Sequence, residues 1–194
     1  SVREMLIQYK DTYIPKKIVS PIFEISKFET LFVTGGAGFI GSNFINHFAE
    51  KNPEVNIINF DALYYSADEN NVEEFIRKSN KYQFIEGNLQ SFDLLRHIFK
   101  TNTISHVIHF AAQSHVDDSF NDSLKYTRDN IVGTHNLLEV NRLYNPNLVK
   151  FIHVSTDEVY GESMLDTDEK HKTEHSILCP TNPYAGTKAG AELL

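Results

Sequence analysis

Thr34-Gly35-Gly36-Ala37-Gly38-Phe39-Ile40-Gly41 has the residue types of an anion cradle. Glycines at these points permit a tight turn and let backbone N–H groups approach a pyrophosphate. A helix opening there adds the favourable end of its dipole. Asp61 lies 20 residues beyond Gly41. A carboxylate at that spacing accepts hydrogen bonds from ribose hydroxyls and repels a 2′-phosphate, which favours NAD over NADP. The plainer alternative is a glycine-rich turn and a solvated aspartate. A strand before the loop and a helix after it separate the two readings.

A second group could move protons. Tyr184 and Lys188 are four apart, so on a helix they share a face. A free phenol titrates near pH ~10 and is a poor base at neutrality. A neighbouring ammonium and a nicotinium charge would lower that value, making Tyr-x-x-x-Lys suited to taking a hydroxyl proton during hydride transfer. The spacing also suits an ordinary surface pair. Asp157 and Glu158, in Ser155-Thr156-Asp157-Glu158-Val159-Tyr160-Gly161, are adjacent carboxylates. Burying both is costly, and differing environments let one act as acid and the other as base. Two solvated loop acids are the alternative.

The elements that must position these groups are legible as alternating short apolar runs and helical segments. Strands are expected at Leu31–Thr34, Val55–Phe60, Tyr82–Glu86, His106–Phe110 and Phe151–Ser155. Helices are expected at Phe39–Lys51, Glu69–Ser79, Phe92–Lys100 with Ser91 as N-cap, Asp122–Leu143, and from Tyr184 to Leu194. Gly161–Pro183 is polar and irregular. The alternation predicts βαβ units, hence an α/β, Rossmann-type, doubly wound parallel sheet with helices on both faces. Each candidate group then falls at the carboxyl end of a strand, where such sheets bind ligands. Residues 1–28, with Pro15 and Pro21, read as an N-terminal arm to which no function is assigned, and residues 29–194 as the dinucleotide-binding domain.

Composition narrows the partners. Of 194 residues, 41% are hydrophobic and 23% charged, as in ordinary globular proteins, and the net charge of −8 argues against a nucleic acid as main partner. No run is long and apolar enough to span a membrane. The single cysteine, Cys179, excludes an intrachain disulfide and has no cationic setting that would make it reactive. Arg3 and Glu4 with no apolar run near the start argue against a signal peptide, so the cytoplasm is expected. His109, His115 and His153 show no metal-binding spacing with acids or Cys179, and suit packing or hydrogen bonding. No metal is expected.

The glycine loop, the Ser155–Gly161 segment and the Tyr184/Lys188 pair together resemble the extended short-chain dehydrogenases that act on nucleotide sugars. Within them the likeness is greatest to the nucleoside-diphosphate-glucose 4,6-dehydratases. Asp61-Ala62-Leu63-Tyr64-Tyr65, His109-Phe110-Ala111-Ala112-Gln113-Ser114-His115-Val116-Asp117 and Pro180-Thr181-Asn182-Pro183-Tyr184 fit the same family, from about Leu31 to Leu194. Thr156-Asp157-Glu158 is the discriminating motif, since related 4-epimerases lack the two carboxylates there. Gln113 and Asp117-Asp118-Ser119-Phe120 look more like the UDP-glucose dehydratase domain of rhamnose synthases than the bacterial dTDP-glucose enzymes. Two departures stand out: Asn88 replaces a usual aspartate near the adenine, and Ala62 replaces a common lysine.

The resemblance implies NAD as cofactor, held by Gly35, Gly38, Phe39, Ile40, Gly41, Asp61, Asn88, Leu89, Ala111, Ala112, Asn130, Tyr184 and Lys188. It implies catalysis by Thr156, Asp157, Glu158, Tyr184 and Lys188 on UDP-glucose or dTDP-glucose, and a homodimer in a full-length form. Family members continue past the Tyr-x-x-x-Lys helix into a lobe that binds the sugar nucleotide. That lobe is therefore expected to be largely missing from this chain, which on its own should not turn over. A 4-epimerase or decarboxylase of the same family, and a non-catalytic NAD-binding module, are the competing readings.

Overall fold

The computed structural model describes residues 29–162 and 171–194. The expected arm at 1–28, and residues 163–170 of the expected irregular segment, lie outside the described residues.

Five strands, β1 (Thr30–Thr34), β2 (Asn56–Asp61), β3 (Tyr82–Glu86), β4 (Ile104–His109) and β5 (Lys150–His153), form one sheet in the order β3-β2-β1-β4-β5. All four pairings are parallel, as the βαβ reading requires. Alternation along β1 sends Phe32 to one face and Leu31 and Val33 to the other. Phe32 packs with Phe60, Leu95, Phe99, Val107 and Leu137 in one apolar cluster. Leu31 and Val33 pack with Ile45, Ile57, Val72 and Ile108 in a second. The first cluster is closed by α3 (Phe92–Thr101) and α6 (Gly133–Tyr144), the second by α1 (Phe39–Lys51). Two covered faces make the sheet doubly wound. Strand order reverses between β1 and β4, so a crevice opens at their carboxyl ends.

Three helical expectations are corrected. The segment expected to be one helix from Glu69 to Ser79 is a 3₁₀ turn, Glu69–Asn71, and a single α turn, α2 (Glu74–Arg77), with extended Val72 between. Its polar side chains engage backbone instead of leaving a helix to form. Asp68 accepts from the Asn70 N–H at 2.8 Å, Asn71 donates to the Ala37 carbonyl at 2.9 Å, and Asn46 donates to the Asn71 carbonyl at 3.0 Å. The long helix expected from Asp122 is α5 (Ser123–Tyr126), a π-helical segment (Thr127–Val132) and α6, and it is preceded by a further helix, α4 (Val116–Asn121). Asp122 ends α4 and caps α5, accepting from the Lys125 N–H at 3.1 Å. Ser91 stands at the N-cap of α3, but its side chain makes no capping bond. The last helix, α7 (Pro183–Glu192), begins with Pro183 in its first turn and is capped by Asn182, whose Oδ1 accepts from the Ala185 N–H at 2.7 Å.

Candidate active site

The glycine loop turns sharply from β1 into α1. Gly35 has φ +72°, and a Cβ there would lie 2.6 Å from the Ala111 nitrogen. A Cβ on Gly41 would lie 2.2 Å from the Gly35 carbonyl oxygen. Neither position admits a side chain. Gly38, the N-cap of α1, differs: a Cβ there would meet only the Gly35 oxygen, at 3.4 Å, so it would project into open space above the loop. That space is a cleft of about 480 Å³ at the carboxyl ends of β2, β1 and β4, reaching α7. The donors of a helix N-terminus, a glycine-lined floor and room above it suit a dinucleotide's pyrophosphate.

Asp61 ends β2 and is buried. Its Oδ2 accepts from the Ala37 N–H and its Oδ1 from the Leu63 N–H, both at 2.9 Å. The carboxylate therefore fastens the glycine loop to β2 as well as facing the cleft, and each oxygen keeps a lone pair for a ribose hydroxyl. Sequence reasoning assigned it the ribose alone. Leu63 is left-handed, with φ +51°, and presents Tyr64 and Tyr65 to the cleft.

Of the thirteen residues expected to hold the cofactor, Asn130 alone does not line the cleft. It sits buried in the π-helical segment behind the cleft wall. Its amide accepts from the Gln113 N–H at 2.8 Å and donates to the Gln113 carbonyl at 2.9 Å. Asn130 thus fixes the loop bearing Ala111 and Ala112 from behind the cleft wall. Asn88 faces the cleft, but its amide already donates to the Tyr64 hydroxyl at 2.7 Å, and its Oδ1 accepts from the Gln90 N–H at 2.8 Å. Asp129 draws in the loops after β3 and β4, accepting from Gln90 at 2.6 Å and Gln113 at 2.8 Å. Tyr64 and Asp129 were missed. The sequence signal available for them is slight: a second aromatic beside Tyr65, and an acid beside Asn130.

The proton-moving groups meet on the other side of the cleft. Tyr184 starts α7, and its hydroxyl faces the Thr156 side chain. Thr156 caps the 3₁₀ turn Asp157–Tyr160, accepting from the Glu158 N–H at 3.3 Å. Glu158 Oε2 accepts from the Asn182 amide at 2.8 Å, so the cap of α7 also ties Glu158 to the helix of Tyr184. Sequence reasoning gave Asn182 no role, although Asn before Pro is an N-cap signal. Tyr184 and Lys188 line the cleft, while Thr156, Asp157 and Glu158 stand just beyond its wall, next to Ser155.

The two carboxylates, for which buried and solvated settings were both open, are unequally placed: Asp157 is exposed and Glu158 partly buried. Their environments still differ, because among the described residues Glu158 has the Asn182 amide and Asp157 a long contact of 3.4 Å from the Thr156 hydroxyl. Lys188 does not lower the Tyr184 pKa here. Burial pushes the phenol up, with the nearby Thr156 hydroxyl opposing the rise and Glu158 and Asp157 adding to it. Lys188 itself is buried and donates to the Val154 carbonyl at 2.5 Å. Desolvation brings its pKa down to about 8. A positive nicotinamide in the cleft would oppose the rise further.

Among the described residues no group of three or more His, Cys, Asp or Glu side chains is placed to hold a metal ion, and no helix is long and apolar enough to cross a membrane.

Residues 32–194 match the family model described as GDP-mannose 4,6 dehydratase. The chain is 44% identical over 173 residues to a dTDP-D-glucose 4,6-dehydratase of Dictyostelium discoideum, covering 86% of this chain and 39% of that protein. It is 43% identical over 166 residues to a trifunctional UDP-glucose 4,6-dehydratase/UDP-4-keto-6-deoxy-D-glucose 3,5-epimerase/UDP-4-keto-L-rhamnose-reductase of Arabidopsis thaliana, covering 86% of this chain and 24% of that one. A solved structure of dTDP-glucose 4,6-dehydratase from Bacillus anthracis in complex with NAD superposes with a TM-score of 0.73 at 38% identity, over 85% of this chain and 48% of that chain. The chain thus spans less than half the length of each of these three proteins.

Proposed function

The chain belongs to the nucleotide-sugar 4,6-dehydratase family of extended short-chain dehydrogenases, and from that membership we propose that it is the cofactor-binding part of an NAD-dependent nucleoside-diphosphate-glucose 4,6-dehydratase. The substrate is UDP-glucose or dTDP-glucose, and the product is the 4-keto-6-deoxy sugar of rhamnose-type nucleotide-sugar biosynthesis. The observation that carries the reading is the joining of Thr156, Glu158 and Tyr184 around the start of α7, beside a cleft floored by the glycine loop.

In this reading, residues 29–194 are the dinucleotide-binding domain. Backbone N–H groups of Gly35–Gly41 hold the pyrophosphate, and Asp61 takes the ribose hydroxyls and disfavours a 2′-phosphate. Asn88 and Leu89 border the adenine, Ala111 and Ala112 wall the nicotinamide, and Lys188 holds the nicotinamide ribose. NAD, when bound, supplies the hydride acceptor for C4 and later the hydride for C6. Tyr184 takes the proton of the 4-hydroxyl, which Thr156 holds in place. A ketone at C4 makes the C5 hydrogen acidic. Glu158 removes that proton, and Asp157 protonates the departing 6-hydroxyl, so one water leaves; a proton returns to C5 when C6 is reduced. The partly buried carboxylate is the base and the exposed one the acid.

Two further assignments accompany the reading. A full-length form pairs as a homodimer, to which Phe120, Leu124 and Val132, exposed around α4, α5 and the π-helical segment, offer apolar surface. It works in the cytoplasm, a setting consistent with one exposed, unbridged cysteine, Cys179.

Incubating a full-length protein that contains this sequence with UDP-glucose and, separately, with dTDP-glucose tests the function. At least one is expected to yield the 4-keto-6-deoxy product with no net consumption of NAD. Return of both sugar nucleotides unchanged would overturn the dehydratase reading in favour of a non-catalytic NAD-binding module. A product inverted at C4 would replace it with a 4-epimerase.

A further inference from the structure

Five buried polar side chains link the end of β1 to α7. Thr34, His109, Thr134, Asn130 and Thr187 are each 5% exposed or less. Thr34 Oγ1 meets His109 Nδ1 at 2.6 Å, and His109 Nε2 meets Thr134 Oγ1 at 2.8 Å. Thr134 Oγ1 donates to the Asn130 carbonyl at 2.6 Å. The Asn130 amide donates to Thr187 Oγ1 at 2.9 Å, and Thr187 donates to the Tyr184 carbonyl at 2.7 Å. One end of this chain adjoins Gly35. The other lies between Tyr184 and Lys188, one turn of α7 apart.

Backbone groups fix the direction of every bond. Carbonyls only accept, so the single proton of Thr187 goes to Tyr184 and that of Thr134 goes to Asn130. The Asn130 amide cannot be turned over, because its Oδ1 faces the Gln113 N–H and its Nδ2 the Gln113 carbonyl. With its proton committed, Thr134 Oγ1 must accept from His109, which places the histidine proton on Nε2. Nδ1 is then bare and accepts from Thr34. Thr34 Oγ1 in turn is free to accept from the Ala111 N–H, at 3.4 Å. A second imidazole, His153, lies 5.1 Å away between ring centroids, and neither of its nitrogens has a partner among the described residues. Burial, with His153 and Lys188 adding repulsion, holds the His109 pKa well below its usual value.

We infer that His109, fixed as the neutral Nε2–H tautomer, is a positioning residue that sets the spacing between the glycine loop and the Tyr184–Lys188 helix. The inference rests on the NAD reading in one respect: that spacing decides where the nicotinamide lies relative to Tyr184. The adenine half, held by Asp61 and the loops after β2 and β3, is outside the chain's reach.

Nitrogen NMR of the histidine-labelled protein reads the tautomer directly. His109 is expected to show an unprotonated Nδ1 and a protonated Nε2, unchanged from about pH 5 to 8. A protonated Nδ1, or titration in that range, would overturn the inference. Binding tests the positioning. Thr134→Val keeps the shape but removes the acceptor, and is expected to weaken NAD about tenfold, with recovery in Thr134→Ser. AMP, which carries only the adenine half, should bind all three proteins alike. Equal weakening of NAD and AMP, or no recovery in Thr134→Ser, would reduce the chain to a structural cross-link and overturn the positioning role. If the unmodified protein binds neither ligand, the cofactor reading fails, while the NMR result still decides the His109 tautomer.

Discussion

Tyr184→Phe in a full-length form is expected to lower turnover by about 10²–10⁴-fold, and Glu158→Gln to halt the reaction one step later. The phenylalanine variant keeps the ring that starts α7 but loses the hydroxyl facing Thr156, so the group that takes the 4-hydroxyl proton is gone. Without a ketone at C4 the C5 hydrogen stays inert, and no deuterium enters C5 from heavy water. Glu158→Gln keeps a side-chain oxygen for the Asn182 amide, so the α7 cap should survive. Oxidation at C4 then proceeds and reduced cofactor accumulates, yet C5 exchange and loss of water both fail. Exchange at the unmodified rate in Glu158→Gln would remove Glu158 as the base and leave Asp157 as the remaining acidic candidate.

The unmodified protein is expected to bind NAD in preference to NADP, and Asp61→Asn to narrow that preference while weakening NAD about tenfold. Asn retains one acceptor for the Ala37 or Leu63 N–H but has no charge to repel a 2′-phosphate. Asp61→Ala should do more harm than its lost ribose contact explains. Both N–H groups then lose their acceptor in a buried place, at about 1–3 kcal/mol each, and the glycine loop loses its tie to β2. A clearly larger fall in melting temperature in Asp61→Ala than in Asp61→Asn would separate the two duties. Calorimetry on the unmodified protein that found equal affinity for NAD and NADP would contradict the ribose assignment.

The sheet and the glycine loop were legible because their signals are local. β1 is an apolar run broken by glycine, and the cradle needs glycine for contacts its neighbours impose: Ala111 on Gly35, and Gly35 on Gly41. What stayed hidden depends on partners distant in sequence. Glu69 to Ser79 has the composition of a helix, but Asn46 and Ala37 draw Asn71 into other bonds. The duty of Asp61 toward Ala37 spans 24 residues, and that of Asn182 toward Glu158 likewise spans 24. The His109 chain joins Thr34 to a histidine 75 residues away. Polar residues at inward positions of two apolar strands, the π-helical segment and two helices hinted at a buried network, but no spacing rule gives its direction. The expected fall in the Tyr184 pKa failed for a related reason. Four positions place Lys188 on the same face, whereas its ammonium points to the Val154 carbonyl.

The fate of the hydrogen at C4 tests the central claim most directly. A full-length protein supplied with dTDP-glucose or UDP-glucose carrying deuterium at C4 is predicted to deliver that deuterium to C6 of the same sugar, with one solvent hydrogen at C5. This follows from oxidation at C4, proton removal by Glu158, loss of water and return of the hydride at C6. Deuterium found back at C4 of an inverted sugar, or released into free reduced cofactor, would contradict the account.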